Sequence, residues 1–288
     1  MNRKWVILIA LSLIWGSSFI LIKKSLIGLT PFQVGSLRMF FASIFIFIVG
    51  FNKIKLIKKQ QWKWIAATGF LGTFTPAFLF AIAETEIDSN IAAILNSLTP
   101  LNTLLFGFAI FSIRSTKRQI LGVLIGFIGT AVLIGEGMQL NPDQNYYFAG
   151  FVILSTILYA LNVNIIKKHL HAISALTITA GNFAVIIIPA IIVLIFSGFF
   201  SAETLTNPKL KTAIGFVVIL SLFGTAVAKV LFNRLVQIAS PVFATSVAYL
   251  MPLVAVGWGY LDGEGFSLIQ GLATILILFG VYLSKQRT

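Results

Sequence analysis

Ten apolar runs alternate with short polar gaps, near residues 5–22, 32–51, 65–83, 90–111, 119–136, 150–166, 175–199, 213–233, 241–261 and 268–284. Their usual length, about 18 to 25 residues, is what a helix rising 1.5 Å per residue needs to cross a ~30 Å hydrocarbon core. The pattern predicts an all-α polytopic membrane protein with ten transmembrane helices. The run at 5–22 follows Arg3-Lys4 as a signal peptide would, but it is full length and no small-x-small cleavage pattern follows, so it reads as a retained span.

Within the runs, polar residues recur at helical spacing. Ser12, Trp15 and Ser18 mark the first span; Thr68, Gly72 and Thr75 the third; Asn96, Thr99 and Thr103 the fourth. Ser155, Tyr159 and Asn162 mark the sixth, Ser221, Thr225 and Phe232 the eighth, and Thr245, Tyr249 and Pro252 the ninth. Such faces would enclose one cavity, although isolated hydroxyls also serve close helix packing. The fifth and tenth spans hold only hydroxyls such as Thr130 and Thr274 and read as peripheral, facing lipid or a partner subunit. That reading leaves room for a homodimer through spans five and ten.

The fourth span carries Asn96-Ser97-Leu98-Thr99-Pro100-Leu101 at its middle, and 152 residues later the ninth carries Ala248-Tyr249-Leu250-Met251-Pro252-Leu253. A proline inside a helix removes a hydrogen bond and clashes one turn back, so Pro100 and Pro252 should face protein or a water-filled cavity. The repeat extends further. At an offset of 144, Ile14-Trp15 through Lys23-Lys24 meets Leu158-Tyr159 through Lys167-Lys168; at 152, Gly72-Thr73 meets Gly224-Thr225, and Asp88 meets Ser240 as expected helix N-caps. Gln119 and Gly129 meet Gln270 and Gly280 at 151. Five spans per copy invert the second copy, giving residues 1–140 and 146–288 as two repeats joined at the polar Asn141–Asn145 loop. Inverted repeats place transporter substrate sites at their interface near the midplane.

Composition sharpens the class. The chain is 58% hydrophobic and 10% charged over 288 residues, more apolar than a soluble domain buries. Its net charge of +13 lies in short gaps, which excludes a nucleic-acid surface and reads as a topology signal. With the N-terminus cytoplasmic, fifteen basic residues, among them Lys58, Arg114, Lys168, Lys285 and Arg287, fall inside, while all eight acids fall outside with Lys23, Lys24, Lys209 and Lys211. Both termini are therefore expected in the cytoplasm. Cysteine is absent and the histidines are only His169 and His171, so no metal site or cofactor is expected. No catalytic dyad is expected within the spans; Ser221 with Lys229 on one helix is the nearest approach to one.

Ile14-Trp15-Gly16-Ser17-Ser18-Phe19, Leu37-Arg38-Met39-Phe40, Leu98-Thr99-Pro100-Leu101 and Leu250-Met251-Pro252-Leu253 resemble, in that order, the EamA branch of the drug/metabolite transporter superfamily. The resemblance covers essentially the whole chain. It implies a basket whose cavity is formed by spans one to four and six to nine, and small metabolite substrates that are often exported. Two positions depart from the family pattern. Gly263-Glu264 follows the ninth span but Ser112-Ile113-Arg114 follows the fourth, and Lys229 stands where relatives carry a tyrosine after Gly224-Thr225-Ala226-Val227-Ala228.

The expectation is thus a secondary transporter, an exporter, of a small polar or amphipathic metabolite such as an amino acid, working by alternating access across the cytoplasmic membrane. A membrane scaffold or sensor without transport is the alternative. The cavity residues expected are Trp15, Ser18, Thr75, Asn96, Thr99, Tyr159, Asn162, Thr225, Lys229 and Tyr249. Trp15, Tyr159 and Tyr249 would stack on a ligand. Arg38, too deep in the second span to face lipid unpaired, is expected to bridge carbonyls or hydroxyls of neighbouring helices or to contact substrate. Lys229 would snorkel to the interface, hold a substrate anion, or exchange a proton in coupled transport.

Overall fold

The computed structural model describes residues 3–111, 116–140 and 143–284. Arg114, Lys285, Arg287, the Ser112-Ile113-Arg114 motif, the start of the Asn141–Asn145 loop and the Thr130 side chain lie outside the described residues. Eight helical segments are long and apolar enough to cross a membrane: Arg3–Ser25, Pro31–Leu56, Lys59–Ala83, Ser89–Ile110, Tyr146–His169, Ala175–Phe196, Leu210–Ile238 and Pro241–Leu261. The helices Lys117–Leu140 and Leu268–Ser284 are the fifth and tenth spans and pack chiefly against each other. Ten helices thus form two inverted five-helix repeats.

Local chemistry sets the ends of the spans. Thr30 caps the second in a capping box with Gln33, with Pro31 in the first turn where its missing N–H costs nothing. Ser174 accepts from Thr177 N at 3.2 Å to start the seventh, and Ser240 accepts from Phe243 N at 3.2 Å to start the ninth. The expected partner cap, Asp88, does not act. It occupies the N-cap position of the fourth span without a side-chain cap bond. Glu264 of the other repeat replaces it, accepting from Ser89 N and Asn90 N at 3.2 Å each.

The interiors are interrupted at repeat-related places. The third span widens into a π-helical turn at Phe70–Phe74 and the eighth at Leu220–Val227. The fourth and ninth break before their prolines, at Ser97-Leu98 and in the 3-10 segment Ser246–Tyr249. Pro100 and Pro252 therefore sit in the first turns of new helices, Thr99–Phe111 and Met251–Leu261, rather than inside continuous ones. The carbonyl that Pro100 would strand, Asn96 O, accepts instead from Thr99 Oγ1 at 2.8 Å.

The seams also pair by repeat. Arg38 of the second span donates from Nε to Thr225 Oγ1 of the eighth at 2.7 Å. Its repeat mate, Asn182 of the seventh, donates to Ile65 O and Thr68 Oγ1 of the third at 2.7 and 2.9 Å. Gly129 and Gly280, also mates, let the fifth and tenth backbones meet: a Cβ on Gly280 would lie 2.5 Å from Gly122 O.

Candidate functional site

The two π segments and the two broken helices converge on one cavity between the repeats. A π turn releases carbonyls from their usual partners. In the third span Gly72 O is taken by Lys229 Nζ at 2.7 Å; in the eighth Gly224 O is taken by Trp15 Nε1 at 2.9 Å. Both glycines are needed for space. A Cβ on Gly224 would fall 2.6 Å from Ser18 Oγ, and one on Gly72 would overlap the Asn162 amide. Because Ser18 and Asn162 are repeat mates, as are Trp15 and Tyr159, the site is built twice from one pattern.

The structure brings together Trp15, Ser18, Arg38, Asn96, Thr99, Tyr159, Asn162, Thr225 and Lys229 on the cavity wall. It does not bring Thr75 or Tyr249, and the interruptions explain both. The spacing of Thr68, Gly72 and Thr75 assumes a regular α-helix, but the π turn inserts a residue, so Thr73 faces the cavity and Thr75 turns away half-buried. The tighter 3-10 turn likewise presents Val247, Ala248 and Met251 and turns Tyr249 toward Leu98 and Leu101. Pro100 and Pro252 are buried but off the wall. Among the described residues none of the seventh span lines the cavity, so the implied ring of spans one to four and six to nine closes with seven of those eight. The seventh supports the third through Asn182.

Sequence reasoning placed Phe232 on the cavity face but missed the rest of the apolar wall, including Phe19, Phe80 and Met251. An apolar residue in an apolar span carries no signal. Trp15 lies 5.0 Å from Phe232, ring centre to centre, and Tyr159 lies 6.2 Å from Phe80. The cavity has a volume of about 100 Å³, several times the ~10–15 Å³ that one water needs. A small solute fits.

Lys229 is 5% exposed and reaches into the bundle, not to a membrane surface. Ser221 turns its hydroxyl to Val217 O at 2.6 Å, so no serine–lysine pair forms. Asn162 is 1% exposed, and among the described residues neither its amide nitrogen nor its oxygen has a hydrogen-bond partner.

At the end of the bundle beyond Ile22, two of the acids assigned to the outer gaps, Glu84 and Glu264, prove buried. Glu264 accepts from Lys23 Nζ at 2.6 Å, and Lys23 also lies 3.5 Å from Asp262, which Lys24 pairs as well. Burial alone would raise the Asp262 carboxyl, but the hydrogen bond and charge of Lys24, with Lys23, hold it below the usual range. Glu84 is 6% exposed and takes a 3.0 Å hydrogen bond from Ser89. Burial pushes its carboxyl well above the carboxylate range, against the lowering effects of Ser89, Lys23 and Arg38. At the other end Lys167, the mate of Lys23, donates to Ala239 O at 2.8 Å and Val236 O at 3.3 Å.

The EamA-like transporter family matches residues 3–135 and 148–285. The uncharacterized inner membrane transporter YedA of Escherichia coli (strain K12) is 29% identical over 285 residues, covering 96% of this chain and 88% of its own length. An uncharacterized transporter of Archaeoglobus fulgidus is 26% identical over 293 residues, covering 100% and 99%. A solved structure titled "Crystal structure of protein" superposes with a TM-score of 0.69 at 16% identity, covering 98% of this chain and 96% of its own, and so shares the fold.

Proposed function

Because the chain belongs to the EamA-like transporter family and is a membrane transporter, we propose that it is a secondary transporter exporting a small polar or amphipathic metabolite, an amino acid or related compound, by alternating access of its two repeats. The observation that carries this reading is the polar cavity enclosed between the repeats. It sits where two broken and two π-widened helices meet, and irregular backbone at membrane depth is tolerated where it lines such a space. Lys23, Lys24, Asp262 and Glu264 join the first span to the ninth–tenth connection at one end, a closure that a rocking repeat would open.

The relative named as an inner membrane transporter and the basic bias of one set of loops support the cytoplasmic membrane with both termini inside. Lys229, whose one hydrogen bond among the described residues goes to a backbone carbonyl, is the group through which proton coupling would run. The lipid-facing sides of spans five and ten are the surface for a homodimer.

Reconstituted vesicles test the reading. Pooled metabolites loaded inside should exchange with external label only when protein is present, and Trp15→Ala should reduce that exchange in folded protein. Cysteines at Lys58 and Lys168 should resist an impermeant reagent in intact cells while one at Glu86 reacts. No protein-dependent flux of any pool refutes transport; the reverse labelling refutes the orientation.

A further inference from the structure

Resting on the transport reading, we propose that the cavity takes an organic monoanion, a carboxylate on a small apolar body, with Arg38 and Lys229 as its charge partners and the Asn162 amide fixing its orientation.

Three observations converge. The wall holds two cationic side chains and, among the described residues, no carboxylate. Among the described residues each cation has one neutral hydrogen-bond partner: Arg38 Nε donates to Thr225 Oγ1 and Lys229 Nζ to Gly72 O, both at 2.7 Å. Since a guanidinium offers five N–H donors and an ammonium three, most of their capacity is unused by the described residues. Thr225 and Lys229 follow each other on the same wall of the eighth span, so the two charges converge from the second and eighth spans on one region.

The second observation is Asn162. A buried amide with neither atom bonded is costly unless something enters the cavity to bond it, and this one abuts Gly72, whose carbonyl holds Lys229. A carboxylate there would accept from the ammonium, the guanidinium and the amide together. The third is the remaining wall of Phe19, Phe80, Phe232 and Met251, which suits an apolar body.

An amine would instead bring a third cation against two, with no lining carboxylate to receive it. Outside the wall, the buried carboxyl whose field reaches Arg38 is Glu84, and its burial favours the protonated form. The site therefore discriminates by charge, and like charges in a partly dry cavity repel strongly.

The test uses three probes that share one body: 3-phenylpropionate, 3-phenylpropionamide and 3-phenylpropylamine. Each is titrated into the full-length protein in lipid nanodiscs, with binding read as a thermal shift. The carboxylate should bind at least tenfold tighter than the amide, and the amine should give no shift. Lys229→Met and Arg38→Gln should each weaken the carboxylate about tenfold or more while leaving the amide unchanged; Lys229→Arg and Arg38→Lys, which keep the charge, should retain most of the preference and stand in for a variant that fails to fold. Amine or amide binding as tight as the carboxylate, no shift with any probe, or an undiminished preference in Lys229→Met and Arg38→Gln overturns the proposal. Vesicle flux of the same probes separates it from the reading it rests on. Carboxylate binding without flux removes transport and leaves the anion site; flux of amide or amine in preference to carboxylate removes the anion site and leaves transport.

Discussion

Glu264→Ala would remove from the fourth span the carboxylate that another repeat supplies to its N-terminus. Ser89 N and Asn90 N would each lose a 3.2 Å acceptor, and Lys23 Nζ its 2.6 Å partner. Loss of an N-cap costs about 0.5–2 kcal/mol and a stranded buried donor about 1–3 kcal/mol. The carboxylate is 2% exposed but Lys23 is 32% exposed, so solvent screens the ion-pair share and ~3 kcal/mol is the expected total. Lys23→Met removes the cation yet leaves the carboxylate on its two amides and is expected to cost ~1–2 kcal/mol, because a charge then stays buried with less compensation. The double variant should cost less than the sum by about 1 kcal/mol, since removing the carboxylate abolishes the penalty of leaving it unpaired. Equilibrium unfolding in mixed micelles of the four proteins measures the cycle. Additivity within ~0.5 kcal/mol, or a Glu264→Ala cost below ~0.5 kcal/mol, would refute the idea that this acid caps the helix and closes the bundle at once.

Gly72→Ala should destabilise by about 1–3 kcal/mol through overpacking, because its Cβ would overlap the Asn162 amide; Asn162→Ala should restore most of the melting temperature if the clash is the cause. Glu84 and Asp262 should give stability an optimum in pH. The raised pKa of buried Glu84 means the folded state keeps a proton that the unfolded chain releases, so its contribution is full below about pH 4.5 and is lost as pH rises toward its folded value; Glu84→Gln should flatten that limb of a melting-temperature profile. Asp262, depressed by its lysines, acts oppositely, contributing above about pH 4 and losing its contribution as strong acid protonates it, so Asp262→Asn should flatten the acid limb. Gly280→Leu, whose Cβ would lie 2.5 Å from Gly122 O and 2.6 Å from Gly126 N, should lower the melting temperature by forcing the fifth and tenth backbones apart while leaving the bound-probe shift at the central cavity intact.

Span number, order and pairing were legible because each depends on a long apolar run. The tenth run, 268–284, coincides with helix Leu268–Ser284, whereas the eighth, 213–233, is exceeded by Leu210–Ile238 because Arg234 and Gln237 extend the helix in a polar stretch. Face assignment failed at two places where the helix changes phase, although Thr225, inside the eighth span's π turn, and Asn96 and Thr99, on either side of the fourth span's break, still reach the wall as spaced. Trp15 and Ser18, in the unbroken first span, lie on the wall as spaced, while Thr75 and Tyr249 lie just past a π turn and within a 3-10 turn. Nothing in residue type marks a π turn, so the phase error could not be seen in advance. Glu264 escaped for another reason: its partners, Ser89 N and Asn90 N, are backbone groups 175 and 174 positions away, and a short acidic gap reads as a solvated loop until the fold closes over it.

The repeat supplies the scaffold symmetrically and the chemistry asymmetrically. Gly72 and Gly224 open matching gaps, Pro100 and Pro252 restart matching helices, and Trp15 and Tyr159 bring matching rings. At the same backbone positions the charges do not match. Arg38 corresponds to Asn182, which spends its amide on the third span instead of the cavity; Lys229 corresponds to Ala77, which lines the wall without charge. Both cations therefore arise where one copy has kept a neutral structural residue, and both reach the same cavity through the eighth span, one from it and one against it. A symmetric pair of cations from Arg38 and position 182 would stand apart on opposite seams, since each contacts a different partner span. The asymmetry gathers them, and a cavity with gathered positive charge and an unbonded amide holds what a strictly duplicated one would not.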